Sequence, residues 1–399
     1  MKQLDNHHWP QLHLYQLVDV KHGFAFKSQF FSADGEYILL TPGNFKEEGG
    51  FRFLGIKQKY YSGSVPNGYI LEKNDLLIAM TEQAPGLLGS AILIPESSKY
   101  LHNQRLGLLS IKTTNLSKRY LYCVFNSPIV RKPISATATG TKVKHTSPEK
   151  IGNIKIPVPP MDQQERIADI ILSYESYIDK VSQLIYVKEK RFEYLVSQLI
   201  NSTTCTRGHV RDFATEISTR NRSNQCERVL SVTNTNGFVL PEDHFERRVA
   251  SADLSNYKIV VRGQYAYNPS RINVGSIARL DNWDEGVLSP MYVVFKLNEK
   301  KVNSDFFLHW LSSHEARERI KRSAQGSVRE TVSFADLGAI PFPLPDMDTQ
   351  TSVAEALNAA KKEIDLLKQL AGAYRKQKRG LMQKLLTGKW RIKSNKEVA

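Results

Sequence analysis

The phrase IKIPVPPMDQQERIADII at residues 154–171 returns near the C-terminus as IPFPLPDMDTQTSVAEAL at residues 340–357. The two align without a gap at an offset of 186 residues. Ile154, Pro157, Pro159, Met161, Asp162 and Gln164 recur as Ile340, Pro343, Pro345, Met347, Asp348 and Gln350. The same offset pairs Gly89-Ser90 with Gly275-Ser276, Gly140 with Gly326, Ser147 with Ser333 and Gly152 with Gly338. Downstream it carries Ala168, Ile178, Leu195 and Leu199 onto Ala354, Ile364, Leu381 and Leu385; toward each copy's start the match fades. A unit of roughly half the chain is too long for a solenoid repeat, so the chain is one duplicated design.

Within each phrase the prolines end a strand and block an early helix start. A helical pattern follows. Apolar side chains fall at Ile167, Ile171, Tyr174, Ile178, Val181, Ile185, Phe192, Leu195 and Leu199, with Lys188 in the vacant place. The second copy reads Val353, Leu357, Ala360, Ile364, Leu367, Ala371, Tyr374, Leu381 and Leu385, interrupted by Lys378. A 3.5-residue period held over about five heptads specifies a left-handed coiled coil. About forty residues at 1.5 Å each span ~60 Å. Asp162 is expected to cap the first helix, with Glu165 completing a capping box. Asp348 is the matching expected cap, but Thr351 replaces the glutamate.

The segments before the helices, 1–160 and 207–346, carry short β-branched and aromatic runs such as YILL, DLLIAM, SAILIP, KIVV and PMYVVFKL, punctuated by Gly, Pro and Asn. They read as strands of mixed α/β domains. Each also holds one expected helix, around KRYLYCVFNSPIVRKPI and SDFFLHWLSSHEARERIKR. The long helices take 161–206 and 347–399. The expected fold class is α+β, with two globular domains separated by two long helices in an antiparallel coiled coil. Because each helix begins beside its own domain, antiparallel pairing predicts a pseudo-two-fold dumb-bell. The alternative packs each helix on its own domain alone, yet a strict heptad is narrower than an ordinary core-facing stripe.

The formal charge is +15, from 55 Lys plus Arg against 40 Asp plus Glu. That excess favours a polyanionic partner such as nucleic acid. An apolar fraction of 41% with 24% charged residues describes a globular protein, and no run of about 18 apolar residues suggests a membrane span. The N-terminus lacks the apolar core of a secretion signal. Cys123, Cys205 and Cys226 form no CxxC pair, which suits a reducing cytoplasm and argues against a disulfide framework or a zinc site. His7-His8 reads as a solvated pair.

No phosphate-binding GxxxxGK[ST] and no dinucleotide fingerprint occurs. YNPSR at 267–271 lacks the second proline and the aromatic of an amino-methyltransferase motif, and no nuclease-like Pro-Asp with Glu-x-Lys is found. No catalytic and no metal-ligating residue is assigned. Basic and polar residues on glycine-marked loops remain. TATGTKVKH at 137–145 and SAQGSVRET at 323–331 occupy the same point of the two copies and offer Lys142, Lys144 and Arg329 for phosphate contact. Lys27, Arg220 and Arg222 are weighed likewise. Gln104, Arg105, Asn268 and Arg271 are candidate base contacts, since Arg reads guanine and Asn or Gln reads adenine.

These pieces resemble the DNA-specificity subunit of type I restriction–modification enzymes over essentially the whole chain. GFAFKSQFF at 23–31 is similar to the family's opening signature. YNPSRINVGSIARL followed by GVLSPMYVVF resembles its mid-domain signature, and the proline phrase, LVSQLI and LMQKLLTGKWRIK resemble its repeated helices. The resemblance implies two target recognition domains, each reading one half of a split double-stranded DNA site. It also implies helices that set the spacing and dock two modification (methyltransferase) subunits, with restriction (translocase and nuclease) subunits as optional partners. S-adenosylmethionine would belong to the modification subunits and ATP with Mg to the restriction subunits, with no cofactor in this chain. GFAFKS has no close copy in the second half, so the two domains are expected to read different half-sites. A system in which one partner both cuts and methylates, a non-DNA adaptor and a stand-alone enzyme are the competing readings.

Overall fold

The computed structural model describes residues 9–83, 85–200, 206–243, 253–325 and 331–392. Arg329, Cys205 and His7-His8 lie outside the described residues. The chain forms two compact units that do not follow its linear order. Unit 1 comprises residues 1–180 and 371–399, and unit 2 comprises residues 181–370. Each unit therefore holds one globular segment and half of each long helix.

Unit 1 is built on a four-stranded antiparallel sheet of β1 (Val18–His22), β2 (Leu76–Ala79), β3 (Ala91–Leu93) and β4 (Leu106–Ile111), in the order β1-β4-β2-β3. Unit 2 repeats it with β5 (Ala214–Ile217), β6 (Tyr265–Tyr267), β7 (Ile277–Arg279) and β8 (Val293–Leu297), in the order β5-β8-β6-β7. Val18 pairs with Ile111 as Ala214 pairs with Leu297. The last strands thus keep the offset of 186, while the first strands are 214 − 18 = 196 apart. This length difference is why the sequence match fades upstream. The outer parts also differ. Unit 1 adds a five-stranded sheet running from Phe31–Ser32 to Ile70–Leu71, whereas unit 2 has two-stranded pairs at Ser231–Thr233 with Gly237–Val239 and at Lys258–Val261 with Glu285–Leu288.

The single helix expected before each proline phrase is two helices, Lys118–Phe125 with Pro128–Thr137, and Ser304–Ser312 with His314–Gln325. The breaks fall at equivalent serines. Ser127 Oγ accepts from Ile129 N–H at 3.2 Å and Ser313 Oγ from Ala316 N–H at 3.1 Å, each restarting a helix. Gly152 and Gly338 recur because a Cβ there would meet Tyr15 or Arg211 at 3.1 Å.

The long helices span Met161–Ile200 and Met347–Leu385. Asp162 and Asp348 are not the caps. They lie in the first turn, where a carboxylate still favours the positive end of the helix. Asp346 caps the second helix, accepting from Thr349 N–H at 2.8 Å, and the first helix begins after Pro160, whose carbonyl takes the first turn's bond from Gln164. No capping box forms at Glu165, which instead binds Arg119 at 3.0 Å.

Within each unit the helix halves run antiparallel. In unit 1 Glu175 meets Lys378 at 3.0 Å, and Ile171 shares a core with Met382. In unit 2 Lys188 meets Glu363 at 2.7 Å, and Val196 shares a core with Ala354. Both heptad interruptions are therefore lysines bonded to a glutamate of the other helix, a device that fixes register. The rest of the stripe packs as expected. Ile167, Ile171, Ile178, Leu357, Ile364 and Leu385 are buried; Tyr174, Val181, Ile185, Phe192, Leu195, Val353, Leu367 and Leu381 are half-buried. Leu199 is exposed. The helix ends also enter the domain cores, so pairing and packing on the domain occur together: Ile167 and Leu385 join Tyr120 and Ile156 in unit 1, while Leu357 joins Trp310 and Phe342 in unit 2.

Candidate nucleic-acid interface

In unit 1 the segment after β1 folds back on the turn before β4. Gly23 N–H donates to Leu106 O at 3.2 Å, Phe24 N–H to His102 O at 2.9 Å and Gln104 N–H to Phe24 O at 2.9 Å. Only a residue without a side chain permits this approach, because a Cβ on Gly23 would lie 2.0 Å from the Asn103 carbonyl oxygen. Met80 then ties the turn to a third stretch: its N–H donates to Arg105 O and its carbonyl accepts from Thr146 N–H, each at 3.0 Å. Next to Thr146, Lys144 pairs with Glu82. The stretches that carry Lys27, Gln104 with Arg105, and Lys142 with Lys144 are thus tied by backbone bonds into one rim, although the sequence separates them by more than a hundred residues.

The loop beneath that rim is held from inside. The Glu82 carboxylate accepts from the N–H groups of Gly86, Leu87 and Leu88 at 3.0, 2.9 and 2.8 Å. Arg131 donates to the carbonyls of Glu47, Gly86 and Leu88. Neither residue was singled out in the sequence, since nothing local separates a structural cation from a surface one.

In unit 2 Arg220 and Arg222 follow β5 as Lys27 follows β1. Asn268 and Arg271 lie between β6 and β7 and line a cleft of about 590 Å³ with Tyr257, Ser270, Met291 and Tyr292. At the neighbouring edge Lys258 is buried and donates to Tyr292 O at 2.7 Å; burial pulls its ammonium below the ordinary lysine range. Two candidates are partly engaged by the protein. Arg220 donates to Asn256 O at 2.6 Å, and Asn268 Oδ1 accepts from Ser270 N–H at 3.0 Å. By contrast, the side chains of Lys27, Arg105, Lys142, Lys144, Arg222 and Arg271 have no hydrogen-bond or ion-pair partner among the described residues. Cations held out from a surface, with no internal partner to displace, are suited to phosphate contact.

His102 anchors the unit 1 turn from within. It is fully buried, its Nε2 lies 3.0 Å from Leu106 O, and burial lowers its pKa to about 4. The folded state therefore holds His102 neutral while the unfolded chain protonates near pH 6.5. Stability is complete above that pH and falls as the pH drops toward 4. The full difference is on the order of 3 kcal/mol. His102→Gln should flatten the stability–pH profile of unit 1 across this window, as read by chemical denaturation at a series of pH values.

Among the described residues no cluster of His, Cys, Asp and Glu could hold a metal, and no helix is long and apolar enough to cross a membrane. The family model for the type I restriction modification DNA specificity domain matches residues 6–186 and 255–372. The chain is 25% identical over 388 residues to the type I restriction enzyme EcoBI specificity subunit of Escherichia coli, covering 86% of this chain and 77% of that protein. It is 22% identical over 324 residues to the MjaVIII specificity subunit of Methanocaldococcus jannaschii, covering 72% and 75%. Among solved structures, the S subunit of a type I restriction–modification system from M. genitalium matches with a TM-score of 0.63 at 14% identity, over 97% of this chain and 98% of that one. This last likeness is one of fold.

Proposed function

Since the chain belongs to the type I restriction–modification DNA specificity family, we propose that its two globular segments each read one half of a bipartite double-stranded DNA site. The observation that carries the reading is the set of unpartnered cations on surface loops: Lys27, Arg105, Lys142 and Lys144 with Gln104 in unit 1, and Arg222 and Arg271 in unit 2. Shared inner sheets with different outer parts suit two readers of different sequences.

The long helices set the distance between half-sites and dock two modification subunits. Supporting the docking role, Leu184, Val187 and Tyr194 stand exposed on the first long helix in unit 2, at 43%, 59% and 62%. Exposed apolar side chains on one helix are suited to a protein partner. The chain itself supplies no chemistry in this reading. Methyl transfer from S-adenosylmethionine belongs to the modification subunits and ATP-driven translocation with cleavage to restriction subunits, all in the cytoplasm.

Linking two modest half-site contacts through one connection makes the second effectively intramolecular. Inserting one heptad into both long helices adds about 10 Å of rise, about three base pairs of duplex. Methylome sequencing of a host carrying this variant should show a longer gap between the half-sites, or no methylation. An unchanged gap would rule the spacer role out.

A further inference from the structure

The duplication lets one half of the chain serve as a control for the other. In unit 1 the hairpin at 46–50 lies against the first long helix: Lys46 Nζ meets Asp179 at 2.7 Å, and a Cβ on Gly50 would lie 2.9 Å from Glu175 Oε1. Gly49 sits over Asn126, whose amide is bonded to the Ala91 backbone at 2.9 and 3.1 Å. Arg131 completes this seat, its guanidinium engaged by the three carbonyls of Glu47, Gly86 and Leu88. The space is filled by the protein and its cation is satisfied.

Adding 186 to those positions leads to an open cleft in unit 2. Arg131, Asn126 and Glu175 become Arg317, Ser312 and Lys361, and all three line a cavity of about 550 Å³. The equivalent hairpin, with its turn at 233–237, lines this cleft and makes no hydrogen bond to Arg317 or Lys361 among the described residues. Arg317 has no side-chain hydrogen bond or ion pair among the described residues, and Lys361 has none either. Replacing Glu175 by Lys361 reverses the charge at that place on the helix. Among the described residues no aspartate or glutamate belongs to the lining, which also offers Thr233, Asn234 and Asn273. Asn273 Oδ1 is shut off from solvent and lacks a partner. The amide's oxygen and nitrogen are interchangeable by a flip, so it can present a donor instead.

We propose that the cleft around Arg317 and Lys361 is a seat for a phosphate group of the DNA backbone, present in unit 2 and filled by the protein's own hairpin in unit 1. The proposal rests on the DNA-reading function above and adds an asymmetry to it. Its link to DNA is the loop 268–276. Asn268, Ser270 and Arg271 face one cleft from that loop, while Ile272, Asn273 and Gly275 face the other, with Val274 common to both. A strand read by Arg271 on one side of the loop therefore has its backbone within reach of the cations on the other. A phosphate contact fixes position without reading sequence.

The test uses the complex with modification subunits and duplex DNA carrying the site it methylates. Affinity is measured across a salt series for wild type, Arg317→Ala, Lys361→Ala and the double variant. Each removed cation should reduce the slope of log affinity against log salt by about one, and weaken binding roughly tenfold at low salt. The methylated sequence should stay the same, and because both side chains are exposed and unpartnered the variants should fold. An unchanged slope in the double variant overturns the seat, and a changed methylation sequence overturns its backbone assignment. ATP titrated into DNA-free wild-type complex distinguishes a free phosphorylated ligand: if it binds and the double variant does not, while the DNA slope is unchanged, the occupant is not DNA. If the wild-type complex itself shows no preference for its site, the DNA-reading function fails and the seat fails with it.

Discussion

Exchanging residues 207–340 for the same segment of a relative that methylates a different site should alter one half of the methylated sequence and leave the other intact. The segment contains β5 to β8, both pairs of outer strands and the cleft lined by Asn268 and Arg271. It leaves both long helices in place. Each wrong base pair costs about 1–3 kcal/mol, so losing two or three contacts in a half-site removes specific binding at the old sequence. Methylome sequencing reads the result directly. A change in both halves, or in neither, would mean that the two segments do not read independently.

The second large effect is expected at a residue far from any rim. Gln164 is completely buried at the start of the first long helix. Its Oε1 accepts from Ser117 N–H at 2.8 Å, and its Nε2 donates to Asn115 O at 2.9 Å and Pro159 O at 2.8 Å. Gln350 repeats the clamp on Asn303 N–H, Lys301 O and Pro345 O at 2.8, 3.3 and 2.9 Å. One amide thus joins the long helix, the proline stop and the start of the preceding helix pair. Gln164→Leu keeps the volume but leaves an N–H and two carbonyls without that partner, at a cost of about 1–3 kcal/mol for each group that finds no other. Chemical denaturation should show the unit 1 transition lowered by several kcal/mol's worth of denaturant, while Gln350→Leu acts on unit 2. If either variant unfolds at the wild-type midpoint, the clamp is not what holds that junction.

Gln164 and Gln350 were visible in the sequence as a recurring letter, and their role was not. Recurrence at a fixed offset marks a position under the same constraint twice, but the constraint here is made by residues 47 and 49 places away. The capping residues show the same limit at short range. Asp162 and Asp348 stand beside the correct boundary, yet the helices start one residue before them, and Asp346 forms the bond that Asp348 was expected to form. Local propensity favours an acidic residue anywhere in the first turn and does not choose among neighbours. Lys188 and Lys378 looked like defects in the heptad. Their glutamate partners turn them into register marks, and that depends on which part of the other helix lies opposite.

Residue type alone does not separate Arg131, which holds the loop at 86–88, from the candidate DNA contact Arg105, which has no partner among the described residues. Nor could it distinguish Arg131 from Arg317, its own equivalent in the second copy. What the chain determines by itself is periodic: a repeat of 186 residues, prolines that stop strands, and a 3.5-residue stripe that demands a partner helix. Those features act over a few residues or recur, so they can be read in one dimension. Which cations stay unpartnered, which glycines admit a neighbouring chain, and which of two equivalent spaces remains open were decided by tertiary structure alone. Each depends on hydrogen-bonding groups and packing surfaces brought together from distant parts of the chain.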